Sequence, residues 1–459
     1  MTSPRTRADR PPVWRTTTAL AAGVVLGVVL LGVGLVAGRA DVALLGVPAL
    51  LSATWGWTHR PEGTATAVVR LDPDAAPGVL GATVHLSAPP GAETVRFRVV
   101  GPSRQQAERV VATTTGARDL AVSMPSARTG VQDTYRVDHA AYGPEGVEEQ
   151  VPVVTDGPRR LVLPHPVPLR RVPITSRLRG LSGPQTSRRP GDGSELRDVD
   201  TFRAGDSTRR IDWRTTARRS PGLDTLYVRR TFATAEATVV LVVDSRDEVG
   251  ADLATWGGVG FRRPDEPTSL DLARHAAASV AQAVLDGGDR VALDDLGRLR
   301  RPVRPGAGRR HLRRILHALA LARPVGDPTA RHRPPQVPAG AAVYLFSTLL
   351  DDEAPRLAHE WHRAGHVVVV VDTLPPVSLA EADDRIVLAW RITRLERDHR
   401  VETMCSEGID VVPWYTPADT ATGTAGGGST AARGAFEVAA LHHDRRAARN
   451  GAPARGGAR

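Results

Sequence analysis

Two apolar runs dominate the start of the chain. From Ala19 to Gly38 it reads ALAAGVVLGVVLLGVGLVAG without a charge. At ~1.5 Å per residue this helix spans a hydrocarbon core of ~30 Å. Arg39 and Asp41 interrupt the run, and a second one, Val42 to Trp57, follows at the short end of the spanning range. It contains Pro48 and ends in Trp55 and Trp57, whose indoles favour the headgroup layer. The pattern predicts a transmembrane hairpin. The Gly23/Gly27 and Gly34/Gly38 pairs are spaced to let its helices approach closely. A cleaved signal peptide would leave the second run without a purpose.

Beyond the hairpin the period changes to two. TATAVVRLD, ATVHLSA, ETVRFRVVG, DLAVSMP and DTYRVDH, between Gly63 and Leu169, alternate β-formers with Gly, Pro and Asp punctuation, which predicts a small sandwich. From Ala237 strands and helices alternate. ATVVLVVD reads as a buried strand, and Ser269–Leu285 as a helix with Leu272, Ala276, Val280 and Val284 on one face. RVALDDL follows as a strand. Leu312, Ile315, Leu316 and Leu319 mark a further helix, and AAVYLFSTLLDD and HVVVVVDTL are further buried strands. Such a chain builds a doubly wound parallel sheet, which binds ligands beyond the carboxyl ends of its strands, where Asp244, Asp351, Asp352 and Asp372 fall. The predicted fold class is a membrane-anchored multidomain chain: two N-terminal transmembrane helices, a β-sandwich, and an α/β doubly wound domain. The expected boundaries are a basic arm over 1–18, the hairpin over 19–60, the sandwich over 61–170, a connecting segment over 171–235, the α/β domain over 236–417 and a disordered tail over 418–459.

Composition narrows the chemistry. The 459 residues carry a formal charge of +10, yet contain no lysine. That excludes a P-loop, whose lysine reaches the phosphates, and a Schiff-base enzyme. The arginine, alanine and glycine excess, with Asn450 as the only asparagine, reads as GC-rich coding of the actinobacterial kind. Part of the basic excess lies in the tails, so nucleic acid is not an expected partner. The single cysteine, Cys405, excludes an internal disulfide and a cysteine zinc cluster, and fits a reducing cytosol. Arg5, Arg7, Arg10 and Arg15 precede the first apolar run and Arg60 follows the second, so the positive-inside rule places both ends of the hairpin, and the soluble domains, on the cytoplasmic side of the plasma membrane.

The most specific stretch is LRDVDTFRAGDSTRRIDWRTTARR, Leu196 to Arg219. Gly205-Asp206 reads as a tight turn, followed by Arg209, Arg210, Asp212, Trp213 and Arg218. Aspartates and arginines interleaved in this way form bidentate pairs over a large indole. A salt-bridged clasp between sandwich and α/β domain is one reading, and an exposed surface for a partner or anionic ligand is another. Catalysis by these carboxylates is the weakest, because no nucleophile or histidine lies beside them.

GDSTRRIDWRTTARR resembles the hallmark of a bacterial family known as domain of unknown function fifty-eight, roughly Arg-Glu-Tyr-x-x-Gly-Asp-x-x-Arg-x-Ile-x-Trp-x-x-x-Ala-Arg. Asp200, Thr201 and Phe202 stand where the family has Arg, Glu and Tyr, so contacts by those side chains are not carried over. The resemblance implies a von Willebrand factor A-like α/β domain, a MoxR-type AAA+ ATPase as partner, and a role in assembling or maturing other proteins. With no catalytic constellation in the sequence, the expected protein is an interaction protein and not an enzyme, and a small-molecule substrate is not expected. Domains of the von Willebrand A type often hold Mg²⁺ through Asp-x-Ser-x-Ser after the first strand. Here the run is Asp244-Ser245-Arg246-Asp247-Glu248, with Arg246 and Glu248 replacing both hydroxyls. A degenerate metal site would use Asp244, Asp247 and Asp351; the alternative is that Arg246 neutralises Asp244 internally and no cofactor is bound.

Two other signals are weaker. His359-Glu360-Trp361-His362 lacks the second histidine spacing of a zinc protease and reads as a solvent-facing helix. Arg309, Arg310, Arg313 and Arg314 form a basic face opposite the apolar stripe of their helix, either solvated or a docking face for an acidic partner.

Overall fold

The hairpin is built as two helices of 19 residues, α1 (Thr18–Val36) and α2 (Ala40–Thr58), joined by a turn in which Gly38 takes a positive φ. The computed structural model describes residues 14–73, 79–101, 106–112, 117–175, 185–256, 266–297, 301–326, 333–380, 382–414 and 430–449. These fall into two units, one of 1–127 with 131–162, the other of 128–130 with 163–459. Arg5, Arg7 and Arg10 lie outside the described residues.

Small residues set the approach of α1 to α2, but not in the expected pairs. A methyl group on Gly34 would lie 2.3 Å from the Ala43 nitrogen, and one on Gly27 would strike Leu50 and the Gly46 carbonyl. Gly23 has ordinary space and Gly38 belongs to the turn. The outward faces stay apolar and uncovered: Leu35 is 78% and Val36 90% exposed.

Short strand β1 (Trp14–Thr16) precedes the hairpin, and β2 (Thr66–Leu71), β3 (Val79–Ser87), β4 (Thr94–Val100), β5 (Gln106–Ala112) and β6 (Ala117–Pro125) follow it. Then come β7 (Gly130–Gln132), β8 (Arg136–Tyr142), β9 (Glu148–Gln150), β10 (Val153–Asp156) and β11 (Arg160–Val162). One sheet runs β1-β9-β8-β4-β5 with β10 also on β8; a second is β2-β3-β6, and β7 pairs β11. Alternation explains the packing. In β2 Ala67 and Val69 point inward, in β4 Phe97 and Val99 do, and with Leu80, Val84 and Val137 they share one core. Arg96 and Arg98 take the solvent face, where Arg98 meets Asp138.

The second unit begins with a long antiparallel hairpin, β12 (Gln185–Thr201) and β13 (Tyr227–Ala235), with three register shifts. Between its strands lies α3 (Trp213–Arg219). The α/β part follows as β14 (Thr238–Val243), α4 (Ser269–Asp286), β15 (Arg290–Asp295), β16 (Val303–Gly306), α5 (Arg309–Ala320), β17 (Ala342–Ser347), α6 (Glu353–Arg363), β18 (Val367–Asp372), α7 (Asp384–Ser406) and β19 (Asp410–Pro413). Strand order is β16-β15-β14-β17-β18-β19, parallel except for the antiparallel edge strand β16. Val239, Leu241 and Val243 enter a core with α4 and α5, whereas Val240 and Val242 enter another with α6 and Met404 of α7. Helices therefore cover both faces, as the continuous apolar strands require.

The expectation of disorder over 418–459 fails for part of the tail. Thr430–Arg449 forms helix α8, with Phe436 fully buried against Tyr344 and Trp414 at ring separations of 6.4 and 6.0 Å. The flanking Gly and Arg content masked the apolar set Phe436, Ala439 and Ala440, which is buried. Residues 418–429 and 450–459 lie outside the described residues.

Candidate functional site

The hallmark stretch builds a turn and a capped helix. Leu196 to Thr201 pair with β13, after which the chain turns at Gly205, whose φ of +102° suits glycine. Asp206 closes that turn by accepting the Arg203 N–H at 2.9 Å, which, with Arg230, holds its carboxyl below the usual range. Arg230, from β13, bridges two carboxylates: Asp200 at 2.8 Å and Asp206 at 3.2 Å. Asp212 caps α3 by accepting the Thr215 N–H at 3.0 Å, and that bond keeps it ionised to lower pH than a free aspartate. Thr216, fully buried, accepts the Tyr227 N–H and fixes α3 to β13.

Trp213 is 61% exposed and, among the described residues, carries no guanidinium; Arg219 instead lies over Tyr227 at 5.5 Å. Arg209 and Arg218 point to solvent. Thus Gly205, Asp206 and Asp212 shape the segment, whereas Arg209, Trp213 and Arg218 form its outer surface. The bonds of Asp200, Asp206 and Asp212 stay within residues 200–230, inside the second unit.

A second arrangement lies at the carboxyl ends of β14 and β17, where the sheet order reverses: β15 follows on one side of β14 and β17 on the other. Asp244, Asp247 and Asp351 are brought together there, but around a guanidinium. Arg246 donates twice to Asp244 at 2.8 Å and reaches Asp351 at 2.7 and 3.0 Å. Both Asp244 and Arg246 are buried, and Ser347 donates to Asp244 at 2.9 Å. Burial disfavours the charged guanidinium, but the two carboxylates outweigh it and raise the Arg246 pKa. Among the described residues Asp247, near Thr348, has no such partner. Burial, then the charges of Asp244 and Asp351, push its carboxyl up to about 7.

That donor set does not fit Mg²⁺ while Arg246 fills its centre, since a guanidinium donates where a metal ion would be coordinated. Among the described residues no group of three or more His, Cys, Asp or Glu is arranged to hold a metal. Two further carboxylates of the rim face arginines: Asp372 pairs Arg397 and Asp352 pairs Arg400, both arginines from α7. Leu349, fully buried, holds a φ of +60° in the same loop. A branched side chain pays ~1–3 kcal/mol in that region, and such strain concentrates at functional crevices.

Sequence reasoning passed over a third group. Asp271, the N3 residue of a Thr268/Asp271 capping box on α4, is wholly buried between Arg128 at 2.6 Å and Arg274 at 3.0 Å. Burial alone would raise its pKa; the two guanidiniums and Thr129 outweigh it and lower it. The capping spacing Thr-x-x-Asp was the available signal. The His359–His362 run needs a correction. Trp361 is a core residue whose indole donates to the Pro335 carbonyl, and His359 lies 2.7 Å from Glu407, so this helix face is not turned to solvent. Arg309, Arg310, Arg313 and Arg314 do face solvent, opposite buried Ile315 and Leu319.

Residues 198–387 match the family described as "Protein of unknown function DUF58". Uncharacterized protein Rv1480 of Mycobacterium tuberculosis and uncharacterized protein Mb1516 of Mycobacterium bovis are each 30% identical to this chain over 190 residues, 41% of its length and 50% of theirs. The chain therefore spans about half the length of the curated relatives it matches. The family match takes in the hallmark turn, α3 and the Arg246 centre, and leaves out the apolar hairpin, the β-sheets of the first unit and α8.

Proposed function

We propose that this chain is a membrane-tethered protein-interaction factor, DUF58-like over its second unit, that works with a MoxR-type AAA+ ATPase in assembling or maturing other proteins. The tether is carried by one observation. Strand β1 lies before α1 yet pairs with β9, far beyond α2, with Trp14 opposite Gln150 and Thr16 opposite Glu148. Thr17 then donates its N–H to Val147 at 2.9 Å, and Arg60, just after α2, meets Glu148 at 2.7 Å. Both ends of the hairpin are thus held to one sheet, which supports two crossings rather than one. Helices of 19 residues span ~28 Å, close to a hydrocarbon thickness of ~30 Å, and their bare apolar faces suit lipid. Arg15 and Arg60 flank the hairpin on that shared side, which favours a cytoplasmic placement of both units.

The interaction reading rests on the engagement of the carboxylates. Asp200, Asp206, Asp212 and Asp244 are each bound to an arginine or a backbone N–H, whereas Arg209, Trp213 and Arg218 are presented outward without a role in the turn. Such a surface recognises a partner. The α/β unit is read as a von Willebrand A-like domain in which Arg246 takes the place of the metal, so no cofactor is required. A cytoplasm-active reporter fused to the C-terminus should be active, together with capture of an AAA+ ATPase from mild detergent. A reporter active only outside the cytoplasm would instead favour a cell-envelope binding module, and repeated absence of any AAA+ ATPase would remove the partner.

A further inference from the structure

The edge of the α/β sheet carries an apolar cavity set in an unusually one-signed surface. From Gly297 to Gly326 the sequence holds nine arginines and no aspartate or glutamate. Six of these, Arg301, Arg304, Arg309, Arg310, Arg313 and Arg314, are exposed around β16 and α5, and none is paired with a carboxylate among the described residues. Ion pairs are common elsewhere on this protein, so the unpaired set is a local choice. Beneath it opens a cavity of about 280 Å³, floored by Val243, Leu293, Leu319 and Leu321 and walled by Arg301 and Arg314. Two carboxylates also border it, but both are engaged: Asp295 accepts from Ser245 at 2.5 Å and from the Gly297 N–H at 3.0 Å, and Asp294 accepts the Asp295 N–H at 2.7 Å.

Size and chemistry together select an occupant. The volume falls just under the ~300–1,000 Å³ of cofactor and drug-sized pockets, so it suits one large apolar side chain. The arginines beside it suit carboxylates on either flank of that side chain. We propose that β16 and α5 form a docking site for an acidic peptide segment of a partner protein, with one large apolar residue seated in the cavity and flanking Asp or Glu on Arg301 and Arg314. The inference rests on the interaction-protein reading above only in taking the occupant to be protein; it needs neither the ATPase nor a given topology.

Fluorescence anisotropy on the full chain in a zwitterionic detergent tests it. The probe is a labelled nine-residue peptide with phenylalanine at its centre and glutamate on both sides, compared with the same peptide carrying serine at the centre and with oligo-dT. Phenylalanine should bind on the order of tenfold more tightly than serine, the gain expected for burying an aromatic side chain. Arg301→Ala with Arg314→Ala should weaken the phenylalanine peptide by a similar factor. Ala318→Phe, which fills the cavity from α5, should erase the preference for phenylalanine while leaving the salt-sensitive residual binding. Melting temperatures of the variants serve as the folding control, and the arginine pair, lying on the surface, keeps the test decisive if Ala318→Phe fails to fold. Equal binding of the two peptides, or tighter binding of oligo-dT, would overturn the proposal. Peptide binding without ATPase capture would sustain this site and sink the partner; the reverse would sink the site alone.

Discussion

The hallmark turn and the crevice at the end of β14 use the same residue types to opposite ends. In the turn Arg230 bridges Asp200 and Asp206 at half-buried positions that water still reaches, with side-chain exposures of 19%, 39% and 23%. In the crevice Arg246 bridges Asp244 and Asp351 with its own side chain 6% exposed and that of Asp244 3%. The lesson is one of solvation. Exposed pairs add little stability, typically ~0–1 kcal/mol, whereas a buried charge left alone is costly. A hallmark written in arginine and aspartate therefore need not be where the stability lies, which leaves its outer surface as the part to test.

The sharpest way to break this comparison is Arg246→Leu. Removing the guanidinium strands Asp244 in a buried site with Asp247 and Asp351 close by, and should cost on the order of 3–5 kcal/mol. Chemical denaturation of the α/β unit within the full chain measures it; a loss under ~1 kcal/mol would mean that water reaches the crevice freely. Arg246→Ser sharpens the same point. It restores the first hydroxyl of the Asp-x-Ser-x-Ser pattern and empties the centre of the crevice, so millimolar Mg²⁺ or Mn²⁺ should raise the melting temperature of this variant and leave the parent protein unmoved.

Asp247 supplies the next effect, through pH. Its folded pKa of about 7 stands above the unfolded value of 3.8, so between those limits the folded state holds a proton that the unfolded state has released. Stability from this group therefore falls as pH rises from about 4 to about 7 and stays at its minimum above that. Asp247→Asn should leave stability unchanged below pH 4 and raise it above pH 7, on the order of 1–2 kcal/mol after solvent screening. Parallel stability–pH curves for the two proteins would show that Asp247 is already well solvated.

How much of this was legible in the sequence follows the same divide. Periodicity found the hairpin, the alternating strands and the buried parallel strands, because burial of whole faces writes itself into the pattern. The Asp-x-x-Asp run after β14 was legible too, along with the option that Arg246 neutralises Asp244, since residues two apart need no fold to meet. What could not be read was long-range: Arg230 reaching Asp206 across 24 positions, Arg397 reaching Asp372 across 25, and Arg274 sharing Asp271 with the distant Arg128. Trp361 was misjudged because polar neighbours on α6 outvoted a single large apolar residue, and α8 because glycine and arginine outvoted Phe436.

The smallest expected effects sit in the hallmark itself, and they separate its two roles. Asp212→Ala removes the side-chain acceptor for the Thr215 N–H, so α3 should fray and the melting temperature fall by a few degrees. Asp206→Asn should do less. The amide oxygen still accepts the Arg203 N–H, and Arg230 keeps Asp200. A near-unchanged melting temperature with lost partner capture would mark the turn as recognition surface, joined by Trp213→Ala, whose indole is mostly in water and whose loss should leave stability almost untouched. If Asp206→Asn instead melted the unit by as much as Arg246→Leu, the contrast between the half-buried and the buried arginine bridge would collapse, and the turn would have to be counted as part of the structural core.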